Sequence, residues 1–262
     1  DMLEACLESI VRTVPRDTRV VIIEDASTDP TVRPFLRAWV GNAPLDSRLV
    51  CHAENRGFVG SANHGMRLAG SDLVLLNSDT VVTHGWLQRL DSCLQSNDDI
   101  ATATPWSNNG EIVSIPRFCF PNRVPANPDS VAEVIASAGS PVYPELPTAV
   151  GFCMAISQRA VQRIGYFDEA VFGRGYGEEN DFCQRAEKAG LKNVLCDDAY
   201  VVHHGGASFG PLDIKPDANS MQRLLDKHPD YERQVAKFIH DDPLSYRRRQ
   251  IVRQLRVAGL VS

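Results

Sequence analysis

No apolar run in these 262 residues approaches the roughly 20 needed to span a bilayer, and no signal-peptide pattern is visible at the start. Basic charge is not in excess either. The chain has 27 Lys and Arg against 33 Asp and Glu, a formal net charge of -6. That is the wrong field for a nucleic-acid partner, which selects basic surfaces. There is no CxxC spacing. The seven cysteines (Cys6, Cys51, Cys93, Cys119, Cys153, Cys183, Cys196) are scattered and odd in number. This argues against a zinc site or a disulfide frame and reads as free thiols in a reducing, cytoplasmic setting, each packed as a small hydrophobe. Internal repeats and low-complexity segments are absent as well.

What is present is an ordinary globular composition, 43% hydrophobic and 23% charged. That is enough for one large α/β domain, or one domain plus a tail. Apolar periodicity makes residues 1–12 a helix. An α/β sheet normally opens with a strand, so the expectation is that the first strand lies before residue 1 and that the chain belongs to a longer, multidomain protein. Short β-branched runs at 19–24, 48–52, 72–76 and 100–104 alternate with helical patterns at 32–40, 61–68 and 85–95. A glycine-bearing turn is expected at 55–60. This alternation predicts a Rossmann-like, mostly parallel sheet with helices on both faces. Residues 105–147 carry eight prolines and the cluster Ser107-Asn108-Asn109-Gly110. They read as long loops around one helix (130–138). Strand character returns at 149–157, 193–196 and 199–202, with a helix at 180–189 between. After residue 211 the texture becomes helical, with segments at 221–225, 231–239 and 245–260. The division expected is therefore a catalytic domain over 1–210 and a C-terminal helical extension over 211–262. The last helix carries Arg247, Arg248, Arg249, Arg253 and Arg256. A solvated face is the plain reading; contact with an acidic membrane surface or a neighbouring domain is the sharper one.

In doubly wound sheets, ligands bind beyond the carboxyl ends of the strands. Three strand ends carry acids, amides or imidazoles. The first is Glu24-Asp25. The second is Asn77-Ser78-Asp79, where flanking oxygens suit a hard cation and its phosphates, although an acid in a turn also caps helices. The third is His203-His204, readable as metal ligands, bases or core histidines. Separately, Glu178, Glu179 and Asp181 crowd one helix start. They either complement the helix dipole or supply a general base. Gly173, Gly175 and Gly177 allow close backbone approach there.

In order and spacing, "VVIIEDASTD", "NRGFVGSANHGM", "LVLLNSDTVV", "GFCMAI", "GRGYGEENDFCQRA" and "YVVHHGGASF" resemble the family 2 glycosyltransferases of GT-A fold, notably the rhamnosyltransferase-like branch. The resemblance covers about residues 1–210. It implies an inverting transfer from a nucleoside-diphosphate sugar, a UDP- or dTDP-sugar, to a glycan or lipid-linked acceptor in bacterial surface polysaccharide synthesis. By resemblance Asp25 contacts the nucleotide base, while Asn55, Gly57 and Asn63 shape the donor pocket. Asn77, Ser78 and Asp79 stand at the DxD motif, with Asp79 binding Mg²⁺ or Mn²⁺ and Asn77 as a weaker partner. His203 completes the metal site, with His204 as the fallback. The catalytic base falls on Glu179, six residues before Arg185, with Glu178 and Asp181 as alternates. The setting implied is cytoplasmic, at the inner membrane face. Two other classes remain open on the residues: a non-catalytic sugar- or partner-binding domain, and a nucleotidyltransferase. The latter would need a Gly-rich, Lys-bearing phosphate loop near the first strand, in the region expected to lie before residue 1, and the Glu178–Asp181 and His203–His204 runs fit it poorly.

Overall fold

The β-branched run Arg19–Glu24 forms strand β1 and pairs in parallel with β2 (Asp46–Cys51), from Arg19↔Asp46 to Glu24↔Cys51. The structure, a computed structural model, describes residues 2–173, 175–205 and 218–261. Helix α1 (Met2–Thr13) turns Cys6, Leu7 and Ile10 into the core, and α2 (Val32–Asn42) makes the β1–β2 crossover that a parallel pair requires. The two strands end at the same level, so Asp25 and His52 leave neighbouring strand ends.

Helix α3 (Gly57–Ala69) starts four residues earlier than the sequence suggests. The expected turn at 55–60 is in part its first turn. Asn55 Oδ1 accepts the Gly57 N–H at 3.2 Å, and Gly57 takes a φ of +74°, which only glycine adopts without strain.

The larger sheet holds β3 (Leu73–Leu76), β6 (Cys153–Ile156), β5 (Ile100–Trp106), β7 (Lys192–His203) and β4 (Thr80–Val82), in that order. The α/β class stands, but the pairing is mixed rather than mostly parallel. β1–β2 and β5–β7 are parallel; β3–β6, β5–β6 and β4–β7 are antiparallel. The reason lies in the connections. β6 is reached from β5 through the long proline-rich segment rather than one crossover helix, so it is free to enter reversed. β4 is a three-residue strand too short to show a period, and its ladder with β7 was invisible to pattern reading.

β7 is one continuous strand where two were expected. It runs beside β5 as far as the Trp106↔Tyr200 pair, after a register irregularity, and then gives Val201–His203 to β4. Helices α4 (Trp86–Gln95), α5 (Pro128–Ser137), α6 (Gln158–Ile164), α7 (Glu169–Phe172) and α8 (Glu178–Lys188) cover the sheet, and a 3₁₀ turn (Glu111–Val113) follows β5. Every residue of β5 is buried, as befits an inner strand. Five of the cysteines are buried, as expected of small hydrophobes; Cys51 and Cys119 are exposed.

The C-terminal helices α9 (Ala218–Lys227), α10 (Tyr231–Asp241) and α11 (Ser245–Val257) share the same interior. Leu244, Ile251 and Leu255 join the cluster around Trp106, while Leu224 and Tyr231 join the one around Phe182. A buried ion pair pins α11. Asp197, fully buried on β7, meets Arg247 Nε at 2.8 Å and accepts the Val142 and Tyr143 N–H groups, while Arg247 Nη1 donates to the Ala138 carbonyl at the end of α5. Gly206, from the "HHGG" run, and the expected boundary at 210–211 lie outside the described residues. No described helix is long and apolar enough to cross a membrane.

Candidate active site

Asp79 and His203 are placed by the antiparallel β4–β7 ladder. Thr80 is the Cα partner of His203, and the His204 N–H donates to the Asp79 carbonyl at 3.0 Å. Their side chains therefore meet at the same end of the sheet, with His203 Nε2 3.6 Å from Asp79 Oδ2. Asp79 is only 2% exposed. His203 Nδ1 lies 2.6 Å from the Asn109 carbonyl, an acceptor, so Nδ1 carries a hydrogen. In the neutral ring Nε2 then presents a lone pair to a carboxylate. Two acceptors face each other, an arrangement stable only with a proton or a cation between them. A ring whose other nitrogen is held by a carbonyl is the usual posture of a metal-ligating histidine. Burial pulls the imidazolium down, but the Asp79 carboxylate and the Asn109 carbonyl outweigh it, leaving His203 above its ordinary range. These two residues fit a divalent cation. No third His, Cys, Asp or Glu joins them into a closed cluster among the described residues.

The same end of the sheet is walled by Asn108, Phe152 and Gly151. Asn108 holds the His203 backbone from both sides, donating to its carbonyl at 3.0 Å and accepting its N–H at 2.9 Å. The Phe152 ring stacks on His203, with centroids 5.1 Å apart, and the Phe152 carbonyl accepts the Asn77 N–H at 2.9 Å. A Cβ built on neighbouring Gly151 would come within 4.0 Å of the Glu179 carboxyl. The turn 151–152 thus touches both Glu179 and His203. Of the Asn77-Ser78-Asp79 run, Asn77 is half-buried and Ser78 exposed. His204, the fallback, is exposed.

The three acids that start α8 have different fates. Gly177 precedes them with a φ of +102°, and a Cβ there would lie 2.9 Å from the Phe172 ring, so the turn is built for glycine. Glu178 is buried, and burial together with the neighbouring Glu179 charge pushes its carboxyl well above the usual range. Burial also raises Glu179, with the Glu111 charge adding to it. One oxygen of each carboxyl has no hydrogen-bond partner among the described residues. Asp181 is different. Its Oδ2 pairs with Arg185 Nε at 2.8 Å; its Oδ1 meets Lys227 Nζ at 2.7 Å and His228 Nε2 at 2.8 Å. Though burial opposes them, these partners hold it below its ordinary value. A carboxylate so committed is a structural tie between α8 and α9, not a base.

Asp25 forms a second cluster. Its Oδ1 accepts from His52 Nδ1 at 2.7 Å and from the Arg56 N–H at 2.8 Å, and its carbonyl accepts from Asn55 Nδ2 at 2.9 Å. His52 Nε2 lies 2.9 Å from His64 Nδ1. Asn55 and Gly57 are thus brought to Asp25. Asn63 is not. It is 1% exposed, and its amide is spent on both backbone groups of Phe167 at 3.0 Å. It works from the core, tying α3 to the segment before α7. Pattern reading gave no site role to His52, His64 and Phe152, and named Asn108 only within a polar loop cluster. The strand-end rule applied to β2 would have flagged His52.

An α/β sheet with a metal-fitting Asp–His pair beyond its strand ends defines a GT-A-like architecture. The chain belongs to glycosyl transferase family 2, whose model matches residues 1–165. A low-salt glycan biosynthesis hexosyltransferase of Haloferax volcanii is 25% identical over 221 residues, covering 79% of this chain, which spans only 64% of that relative. Among solved structures, GalNAc-T7 with UDP, GalNAc and Mn²⁺ superposes with a TM-score of 0.62 at 15% identity, over 86% of this chain and 44% of that one. The mannosyltransferase PcManGT of Pyrobaculum calidifontis, in complex with GDP-Man and Mn²⁺, gives 0.55 at 15% identity, over 100% of this chain and 72% of that one. At such identities the structural likeness is one of fold.

Proposed function

We propose that this chain is an inverting, metal-dependent glycosyltransferase moving a hexosyl or rhamnosyl unit from a UDP- or dTDP-sugar to a hydroxyl of a glycan or lipid-linked acceptor. The observation that carries this reading is the Asp79–His203 pair at 3.6 Å, with Glu179 beside the same 151–152 turn that stacks on His203. Asp79 and His203 would hold Mg²⁺ or Mn²⁺ together with the donor diphosphate. Such a cation supplies Lewis-acid neutralisation of charge building on the leaving group. Glu179 takes the proton of the attacking hydroxyl. Its raised affinity for protons brings the base closer to neutrality, where general-base catalysis is most effective. Attack from the side of the sugar opposite the diphosphate would invert the anomeric centre. Asp25, with Asn55 and Gly57 beside it, receives an N–H of the nucleotide base.

The arginine-rich α11 and the match to a glycan-synthesis hexosyltransferase support a place at the cytoplasmic face of a membrane, in surface glycan synthesis. The test is a panel of nucleotide sugars with Mn²⁺, read by release of nucleoside diphosphate and by thermal shift. One donor should raise the melting point and be slowly hydrolysed, and chelation should stop the release. No response to any donor would contradict the reading and favour a non-catalytic binding domain.

A further inference from the structure

Two histidines stand behind Asp25, and the proposed transfer does not need them. They are not an incidental surface pair. His52 is 7% exposed, follows β2 directly, and has both ring nitrogens engaged: Nδ1 at 2.7 Å from Asp25 Oδ1, and Nε2 at 2.9 Å from His64 Nδ1 on α3. The two imidazole planes lie 4° apart, so the line from His64 to Asp25 is nearly flat. Ser61 Oγ stands 3.5 Å from His52 Nδ1, and Arg33 Nη2 donates to the His52 carbonyl at 2.6 Å, fixing the backbone. Ala26, directly after Asp25, takes a φ of +54°, an uncommon conformation for a residue with a side chain, concentrated where geometry is functionally constrained.

The hydrogens along this line follow from the chemistry of its end. An ionised Asp25 carboxylate only accepts, so His52 Nδ1 bears the hydrogen. Nε2 of the neutral ring is then an acceptor, and the hydrogen between the rings belongs to His64. Burial keeps His64 below its ordinary value, favouring its neutral form. Both hydrogen bonds to the Asp25 side chain, from His52 and from the Arg56 N–H, fall on Oδ1. Oδ2 has no hydrogen bond among the described residues and is left to accept from a ligand.

We infer that His52, oriented by His64, is a positioning residue that holds Asp25 Oδ2 for the ring N–H of a uracil or thymine base. A base without that hydrogen, such as cytosine, would bring a second acceptor against the carboxylate and be refused. This rests on the proposed donor-binding role of Asp25.

The test measures affinity for UDP, dTDP, CDP and GDP with Mn²⁺ by calorimetry, in the parent and three variants. The parent should prefer UDP or dTDP. His52→Leu should shrink that preference over CDP by about tenfold, the scale of one hydrogen bond to a charged group. His52→Asn, whose side-chain N–H replaces Nδ1–H, should restore most of it. His64→Leu should loosen it by a smaller factor. A merely structural His52 would lower all affinities together and leave the ratio unchanged. An unchanged ratio in His52→Leu therefore overturns the inference while leaving the transferase reading intact. Should His52→Leu fail to fold, an unchanged ratio in His64→Leu does the same. A parent that prefers CDP or GDP overturns it too, and a parent that binds none of the four overturns both readings.

Discussion

Asp79 and His203, 124 positions apart in the chain by their numbering, face each other at 3.6 Å because Thr80 and His203 share a rung of the β4–β7 ladder. The ladder, rather than a flexible loop, sets that distance. Asp79→Asn should therefore leave the fold in place and remove the charge. Nucleoside diphosphate release at saturating donor should fall by about 10²–10³, the usual scale for losing one electrostatic contact to developing charge. Mn²⁺ binding followed by electron paramagnetic resonance should weaken in Asp79→Asn and in His203→Ala alike. Unchanged Mn²⁺ affinity in both would place the cation elsewhere.

Glu179→Gln should cost about 10²–10⁴ in turnover with an unaltered donor dissociation constant. A variant that transfers sugar at the parent rate would remove Glu179 from the mechanism.

The pH profile carries a sign. Burial raises Glu179 and Glu178 above the ordinary 4.5, and the base works only when deprotonated. The acid limb of kcat/KM should therefore lie above that value, with rate rising as pH climbs through it. The apparent value belongs to the pair. Glu178→Gln removes the partner carboxyl, and its profile should differ from the parent's. A limb at or below 4.5 would mean that the reacting carboxylate is an exposed one.

Asp181→Asn should lower stability by about 1–3 kcal/mol in urea unfolding, because a buried carboxylate that ties half-buried Arg185 and Lys227 is lost. Since Asp181 is held below its ordinary 3.8, its contribution is complete above that value and is lost as pH falls through the lower folded one. The penalty should shrink in acid, as pH falls through the folded value of Asp181.

Gly177→Ala should destabilise by about 1–3 kcal/mol, the range for a side chain forced into a disfavoured backbone region. It also pushes a methyl to within 2.9 Å of the Phe172 ring, immediately before the two glutamates. A drop in kcat beyond the loss of stability would show that this turn aims Glu179.

Much of the fold was readable because its elements are local. Arg19–Glu24 has the same bounds as read from β-branched residues alone, and α4 differs from its periodic pattern by one residue. The errors came where structure is non-local. β4 is three residues long and exists only because β7 lies beside it. The reversed entry of β6 is decided by a proline-rich excursion that no window spans. At the site, family spacing pointed to Asp79, His203 and Glu179, which the structure brings to one end of the sheet. It also pointed to Asn63 and Asp181, whose polar atoms are consumed by Phe167 and by Arg185, Lys227 and His228. Identity in a motif reports the residue type a place needs; only the neighbours tell whether that need is a ligand or a clasp.

β7 serves two masters along one extended stretch: its early residues are cemented between β5 and the helices, and its last three present the imidazole. Side chains alternate in direction along the regular stretch Val201–His203 that pairs with β4, so inserting or deleting one residue there would turn His203 outward.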